Sequence, residues 1–596
     1  MRDAPARNRR KEHMKQTVRA ALVISIGCGW SVSGAPAEEL LVTSAAPGKY
    51  GGDLVVAERS EPKTLNPLMA VENVSREAIG LLMADLIHIN RDSQQTEPAL
   101  AVSADISRDA RRYVVHLRRG VRFSDGYPFD ADDVLFTFDV YLDAKVHAPQ
   151  RDLLMSGGKP VAVRKQDSNT VVFEFAQPYG PRDRLFDSLY ILPRHLLLKP
   201  YAEGKLNGAW DLKVAPGGIA GLGPFRFREY VPGQRLVLEK NPYYWKQDRA
   251  GQRLPYVKRV IFRYTGSEDA EALQFENGGA DVLSRLSARN FDAISKRRDP
   301  SEVLIDAGPS LEYHFLFFNL NDLSNRNLSH IQAKQVWFRD VRFRQAVSTA
   351  IDRDAIVRLV YAGRATPIWS PVTPGNKLWR NPKVEPSPRS VAKARTLLGS
   401  AGFSWNSANR LLDSSGRLVE FSIVTNTNAE RVQMATMIQQ DLEEIGIDVR
   451  IATLELRTML DRITTTLDYD ACLMGLANGD ADPGSEMSIW PSRASAHFWE
   501  LEPTTPAPQW QTEIDRLMAA QMSSSDPRER KRLYDRVQEL VAANLPIIAL
   551  ISPHVLAGSK TGLRNFRPAA LLPYVLWNAD ELFWDAQHNP KTASHQ

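Results

Sequence analysis

The sequence predicts a mixed α/β protein built from more than one domain, and three observations carry that reading. Segments of alternating apolar residues, the mark of half-buried strands, recur in both halves of the chain between segments of helical spacing. At 596 residues the chain is longer than one ordinary hydrophobic core can serve. No repeat of fixed period and no low-complexity tract interrupts the alternation.

Taken in order, Asp53–Ala57 reads as a strand and "RSEPKTLNPL" as a turn-rich loop. The spacing of Ile79, Leu82, Met83 and Leu86 predicts a helix over Glu77–Ile89. Tyr113–Leu117 alternates, the chain turns at Asp125-Gly126, and Asp130 with Asp133 three residues on forms a cap for the next helix. Phe225–Tyr230 and Arg235–Glu239 are two strands joined by "VPGQ". From Asp340, the apolar positions Phe343, Val347, Ile351, Ile356 and Val360 predict one or two helices that stop at Gly363. Six prolines between Pro367 and Pro388 predict a long irregular loop, which a compact domain keeps only for a purpose. Ala429–Ile445 is helical and leads into the strand "IDVRIATL". Asp526 caps a helix that has Pro527 at its first position and runs to about Ala543, and "LPIIALI" follows as a buried strand.

Charge excludes one class of partner. The net charge of +5 resides in residues 1–19, where seven basic residues face two acidic ones; everything after residue 37 sums to zero. A neutral body gives no electrostatic footprint for nucleic acid or an anionic membrane. The basic start is followed by "AALVISIGCGW" and "SVSGAPA", the three parts of a secretory signal peptide. Cleavage is expected near Ala37, before Glu38, with Met1 or Met14 as the start; acylation of Cys28 is the alternative fate of this segment. The only other cysteine, Cys472, lies in an apolar run and reads as a buried, inert thiol.

Catalytic signals are missing: no His-Glu-x-x-His, no paired Cys-x-x-Cys, no Gly-x-Ser-x-Gly and no complete phosphate loop. Ser156–Lys159 matches Ser-x-x-Lys without its partner motifs. The stretch "GLANGDADPGSEM" alternates Asn478, Asp480 and Asp482 as a calcium loop would, but Pro483 and Ile489 stand where the glycine and the bidentate glutamate belong. No catalytic residue, cofactor or metal is expected.

Several segments together resemble one family, the bacterial extracellular solute-binding proteins of family 5, the peptide, nickel and sugar receptors of ABC importers. They are "GGDLVVAERSEPKTLNPL", "LRRGVRFSDGYPFDADDVLFTF", "GLGPFRFREYVPGQRLVLEKNPYYW", "DVRFRQAVSTAIDRDAI" and "YDACLMGLANGDADP", in family order from Tyr50 to Phe583. The resemblance implies a two-lobed periplasmic-binding-protein fold with an inserted domain and two hinge-crossing strands. Lobe I is expected at 38–70, 184–310 and 546–596, the inserted domain at 71–183, and lobe II at 311–545. The crossings are expected near "HFLFFNL" and "LPIIALI".

The implied function is a periplasmic, monomeric receptor, not an enzyme, that captures a small peptide or similar solute for an ABC permease and ATPase. A sugar, glycan-fragment or metal-chelate receptor on the same fold is the alternative, and a secreted hydrolase is a further one. In the peptide receptors a carboxylate four residues before the proline holds the ligand's ammonium. Here Gly479 has that place and Leu476 the place of the accompanying tryptophan, with Asp480 one residue later. Asp480 is expected to face the ligand and Asp482 to cap backbone amides beside Pro483. The remaining ligand-binding candidates are Ser60, Glu61, Tyr361, Trp369, Asn478, Gly479 and Trp490, while Trp245 is assigned to packing.

Overall fold

The structure, a computed structural model, describes residues 38–585 apart from residues 188 and 478 and the side chains of Asp152, Arg182 and Asp183. The signal segment, Cys28 and Asn478 lie outside the described residues.

Twelve strands share one sheet: β1 (Asp53–Glu58), β2 (Phe225–Val231), β3 (Arg235–Lys240), β4 (Arg259–Tyr264), β5 (Val282–Leu283), β6 (Glu302–Pro309), β7 (Glu312–Phe318), β8 (Ala365–Pro367), β9 (Glu420–Asn426), β10 (Asp448–Leu454), β11 (Ala471–Ala477) and β12 (Ile547–Lys560). Their order is β2-β3-β4-β1-β5-β12-β7-β11-β9-β10, with β6 and β8 also paired to β12. Strand β12 is the seam. Its residues Ile547–Ile551 pair antiparallel with β7, and its residues His554–Lys560 pair with β6. Because β6 runs on into β7 across Ser310 and Leu311, two antiparallel strands cross from one half of the molecule to the other. Along β12 every residue is buried except Pro553 and His554, the two at the crossing point.

The apolar residues sort into two large cores, one on each side of this crossing. Leu54, Val56, Leu238, Val260 and Phe262 belong to the first, together with Tyr113, Phe138 and Phe173. Those three aromatics come from a separate four-stranded antiparallel sheet and the helix Ala131–Leu142 that packs on it. Asp130 opens that helix with the expected reciprocal cap to Asp133. Phe315, Phe317, Phe338, Phe343, Val424, Leu473 and Ile548 belong to the second core. This is a mixed α/β architecture with two lobes, each around its own core, joined by the crossing strands.

Two arginines of the segment "DVRFRQAVSTAIDRDAI" explain why it is needed. The helices Val341–Ala350 and Arg353–Val360 are capped by Asp340 and Asp352. Arg344, 4% exposed, donates to the carbonyls of Asn544 and Leu545 that precede β12, and Arg353, also 4% exposed, donates to Ala549 O within it at 2.8 Å. Neither has a carboxylate hydrogen-bonded to it among the described contacts; both are satisfied by carbonyls, which fixes where β12 enters the sheet.

One helix differs from its expectation. The first helix is Asn73–Leu82, and 87–89 is a strand. The helix stops because Gly223 N–H takes the Leu82 carbonyl at 2.9 Å, and Gly221 and Gly223 lie so close to it that a side chain at either would strike the backbone. Met83 and Leu86 are buried as expected, but beyond the helix end.

Candidate ligand cleft

Strands β9 and β11 are parallel, with β11 running on beyond the end of β9, and β1 and β4 are parallel on the other side of the seam. The carboxyl ends of such strands leave a crevice where backbone groups and loop side chains converge. Here a cavity of about 210 Å³ sits at the crossing of β7 and β12. Arg59 and Arg285 line it from one half, Glu312 and His314 from β7, and Tyr361 and Arg431 from the other half.

Local structure positions each of these. Arg59 follows the last residue of β1 and is held by Glu271 at 2.9 Å and Glu268 at 3.4 Å. Arg285 has a left-handed backbone, φ 55°, just after β5. Arg431 lies in the first turn of the helix Ala429–Glu443, whose N-cap Asn428 accepts its backbone N–H at 2.9 Å. Glu312 is met by the His314 ring at 3.4 Å and by two guanidiniums, Arg285 at 3.6 Å and Arg431 at 3.9 Å. Burial alone would raise the Glu312 carboxyl, but the hydrogen bond from His314 and the charges of His314 and the two guanidiniums pull it down to about 2. Two donors or acceptors remain unused: His314 Nδ1 and Arg431 Nε are buried without a hydrogen-bond partner among the described residues. Gly475 makes room for them, since a Cβ there would lie 2.8 Å from the Arg431 guanidinium.

Near the same two guanidiniums of the first half are Glu58, Glu77 and Glu271. Burial, with the neighbouring carboxylates, raises all three, Glu77 and Glu271 to about 7, against the lowering pull of Arg285 and, for Glu58 and Glu271, of Arg59. Away from the cleft, Asp85, His88 and Asp187 hold one potential ligand atom each within 4.8 Å of one another. Arg91 already meets Asp187 at 3.2 Å, so this trio is built as an ion-pair network.

The residues singled out from sequence are dispersed. Tyr361 lines the cavity. Ser60 is exposed next to Arg59, while Glu61 accepts from Tyr230 Oη and from Gly233 N–H, which ties its loop to the β2–β3 turn. Trp369 donates to Ser387 O and lies under the Arg353 guanidinium. Trp490 is 1% exposed, donates to Glu486 and packs against Trp499, so it is core. Gly479 is exposed with open space around it. Asp480 does not stand free for a ligand ammonium: it takes two N–H groups from Arg184, one at 2.9 Å. Asp482 caps Gly484 N–H at 2.8 Å as expected, and it is also fully buried against Arg530, at 2.9 and 2.6 Å. The cleft residues that sequence reasoning missed are Arg59, Arg285, Glu312, His314 and Arg431. The available signal was position, since Arg59 and Arg431 each follow the end of a parallel strand.

The geometry can now be set beside known proteins. Residues 95–497 match the family described as bacterial extracellular solute-binding proteins, family 5 (Middle). The chain belongs to this family. The oligopeptide-binding protein AppA of Bacillus subtilis (strain 168) is 26% identical over 524 residues, 86% of this chain and 88% of AppA. The glutathione-binding protein GsiB of Salmonella choleraesuis (strain SC-B67) is 24% identical over 88% of this chain and 93% of its own. Among solved structures, AppA of Bacillus subtilis in complex with a nonapeptide superposes with a TM-score of 0.67 at 24% identity, covering 90% of this chain and all of that one. NikZ of Campylobacter jejuni in complex with Ni(L-His) gives 0.69 at 21% identity, covering 89% and 99%. Both structures share the fold described above.

Proposed function

We propose that this family member is the exported receptor of an ABC importer, and that it carries a small charged solute, a peptide by first choice, in the cavity at the strand crossing. The observation that carries the reading is the convergence of Arg285, Arg431 and His314 on that cavity from both sides of the seam. A receptor must bury its ligand to bind it and must part its walls to release it, and a site walled by two halves joined through crossing strands does both. The lobes are taken as 38–70, 184–310 and 546–596 against 311–545, with 71–183 inserted. Among the described residues no helix is long and apolar enough to cross a membrane. The relatives named above carry binding-protein names, in keeping with a role without catalysis.

The lining favours a charged solute over a sugar. Four arginines, three glutamates and two histidines line the cavity against two tyrosines, whereas sugar faces call for flat aromatic surfaces. Arg431 Nε–H is an unused donor, and a ligand carboxylate would accept from it. The test is calorimetric titration with the solute recovered from the purified protein. Arg431→Ala is expected to weaken binding by about 2 kcal/mol, roughly thirtyfold, the worth of a charge-assisted hydrogen bond. Affinity unchanged in Arg431→Ala would remove this residue, and with it the carboxylate role, from the account.

A further inference from the structure

The pairing of Asp480 carries an inference of its own. Arg184 lies in the short turn Arg182–Phe186, 296 residues from its partner. Its Nε–H donates to Asp480 Oδ2 at 2.9 Å, a second N–H donates to Oδ1, and a third donates to the Gln94 carbonyl at 2.9 Å. Gln94, 0% exposed, carries the contact onward: its side-chain N–H donates to Gly375 O at 2.7 Å, and its side-chain oxygen accepts from Lys377 N–H at 2.9 Å. Lys377 Nζ in turn donates to Asp92 at 3.0 Å. Gly375 itself lies against the crossing, where a Cβ would stand 2.2 Å from Pro309 O.

The bonds of Asp480, Gly375 and the Lys377 N–H and Nζ groups join segments 92–94 and 184 on one side to segments 375–377 and 480 on the other, the Arg184–Gln94 bond ties the first side together, and none of these hydrogen bonds is made by a crossing strand. The set is polar. A guanidinium–carboxylate fork and amide hydrogen bonds can be exchanged for water when surfaces part, whereas an apolar core cannot be opened without a large loss. The Arg184 and Asp480 side chains are 10% and 22% exposed, so water reaches the pair from one side. A carboxylate forked by a guanidinium has no unmet charge left for a ligand.

We propose that Arg184 and Asp480, bridged through Gln94 to Gly375 and Lys377, form a clasp that holds the two halves shut with the protein's own charges, so that no ligand cation is needed at Asp480. The clasp rests on the two-lobed fold and not on the identity of the solute. It is therefore tested without ligand, by small-angle X-ray scattering of the dialysed protein. Arg184→Ala and Asp480→Ala should each shift the radius of gyration upward while keeping a cooperative melt. The charge swap, Arg184→Asp with Asp480→Arg, should bring it back toward the unmodified value. Unchanged scattering in both single variants overturns the clasp, and so does a swap as open as the singles. Loss of peptide binding would bear on the proposed function and leave this result standing.

Discussion

Asp480 and Asp482 are two residues apart in one loop and are met by different arginines. Asp482 and Arg530 are 3% and 5% exposed, a pair with almost no access to water. Removing one member of such a pair strands the other, at a cost of about 3–5 kcal/mol. Asp482→Ala should therefore lower the urea midpoint strongly and Asp480→Ala much less; equal losses would show that burial does not separate the two. The cap by Asp482 was legible, because Asp before Pro is a local signal. The guanidiniums were not, since they come from 48 and 296 residues away and no local rule names them. The same limit hides Glu312, whose partners Arg285 and Arg431 come from distant segments. Titration gives a second test at this scale. Glu77 and Glu271 titrate near 7 in the folded protein against 4.5 unfolded, chiefly through burial, so the folded state holds more protons between those values. Their contribution to stability is fully present below pH 4.5 and is lost as pH rises toward 7 and beyond. The urea midpoint should fall between pH 5 and pH 8, and Glu77→Gln should flatten that fall; an unchanged slope in the variant would refute the assignment.

At the scale of elements, strand β12 and the helices that grip it were read with mixed success. The crossings that the family resemblance implies near "HFLFFNL" and "LPIIALI" fall at β7 and at the start of β12. The second strand in fact continues through Pro553 and Gly558, residues that usually punctuate a strand. Pro553 is tolerated because it falls where pairing passes from β7 to β6, and its carbonyl still accepts from Ser310 N–H at 3.0 Å. The helix that apolar spacing predicts over 77–89 ends at Leu82 because its stop depends on the distant glycines 221 and 223. Arg353 gives the test here. Arg353→Met keeps the bulk but leaves the carbonyls of Ser348, Ile368 and Ala549 without this donor. A loss of about 3 kcal/mol is expected, from unpaired buried carbonyls at about 1–3 kcal/mol each, measured by urea unfolding. A variant as stable as the parent would show that β12 is seated by apolar packing alone.

On the scale of the whole molecule, the family and the two-lobed fold were legible because several motifs stand in order along nearly the full chain. The site was not, because a cleft between lobes is assembled from loop ends whose meeting depends on the seam. The proline-rich loop illustrates both halves of this. Its six prolines announced an irregular segment, and the structure brings its Gly375 and Lys377 to Gln94 across the cleft. The central claim is that a solute rests at the crossing, between Arg431, His314 and Arg285. Native mass spectrometry of the purified protein tests it most directly. The account predicts a peptide-sized mass adduct on the unmodified protein that is lost from the doubly substituted Arg431→Ala, His314→Ala protein. An adduct retained undiminished by that variant would contradict it.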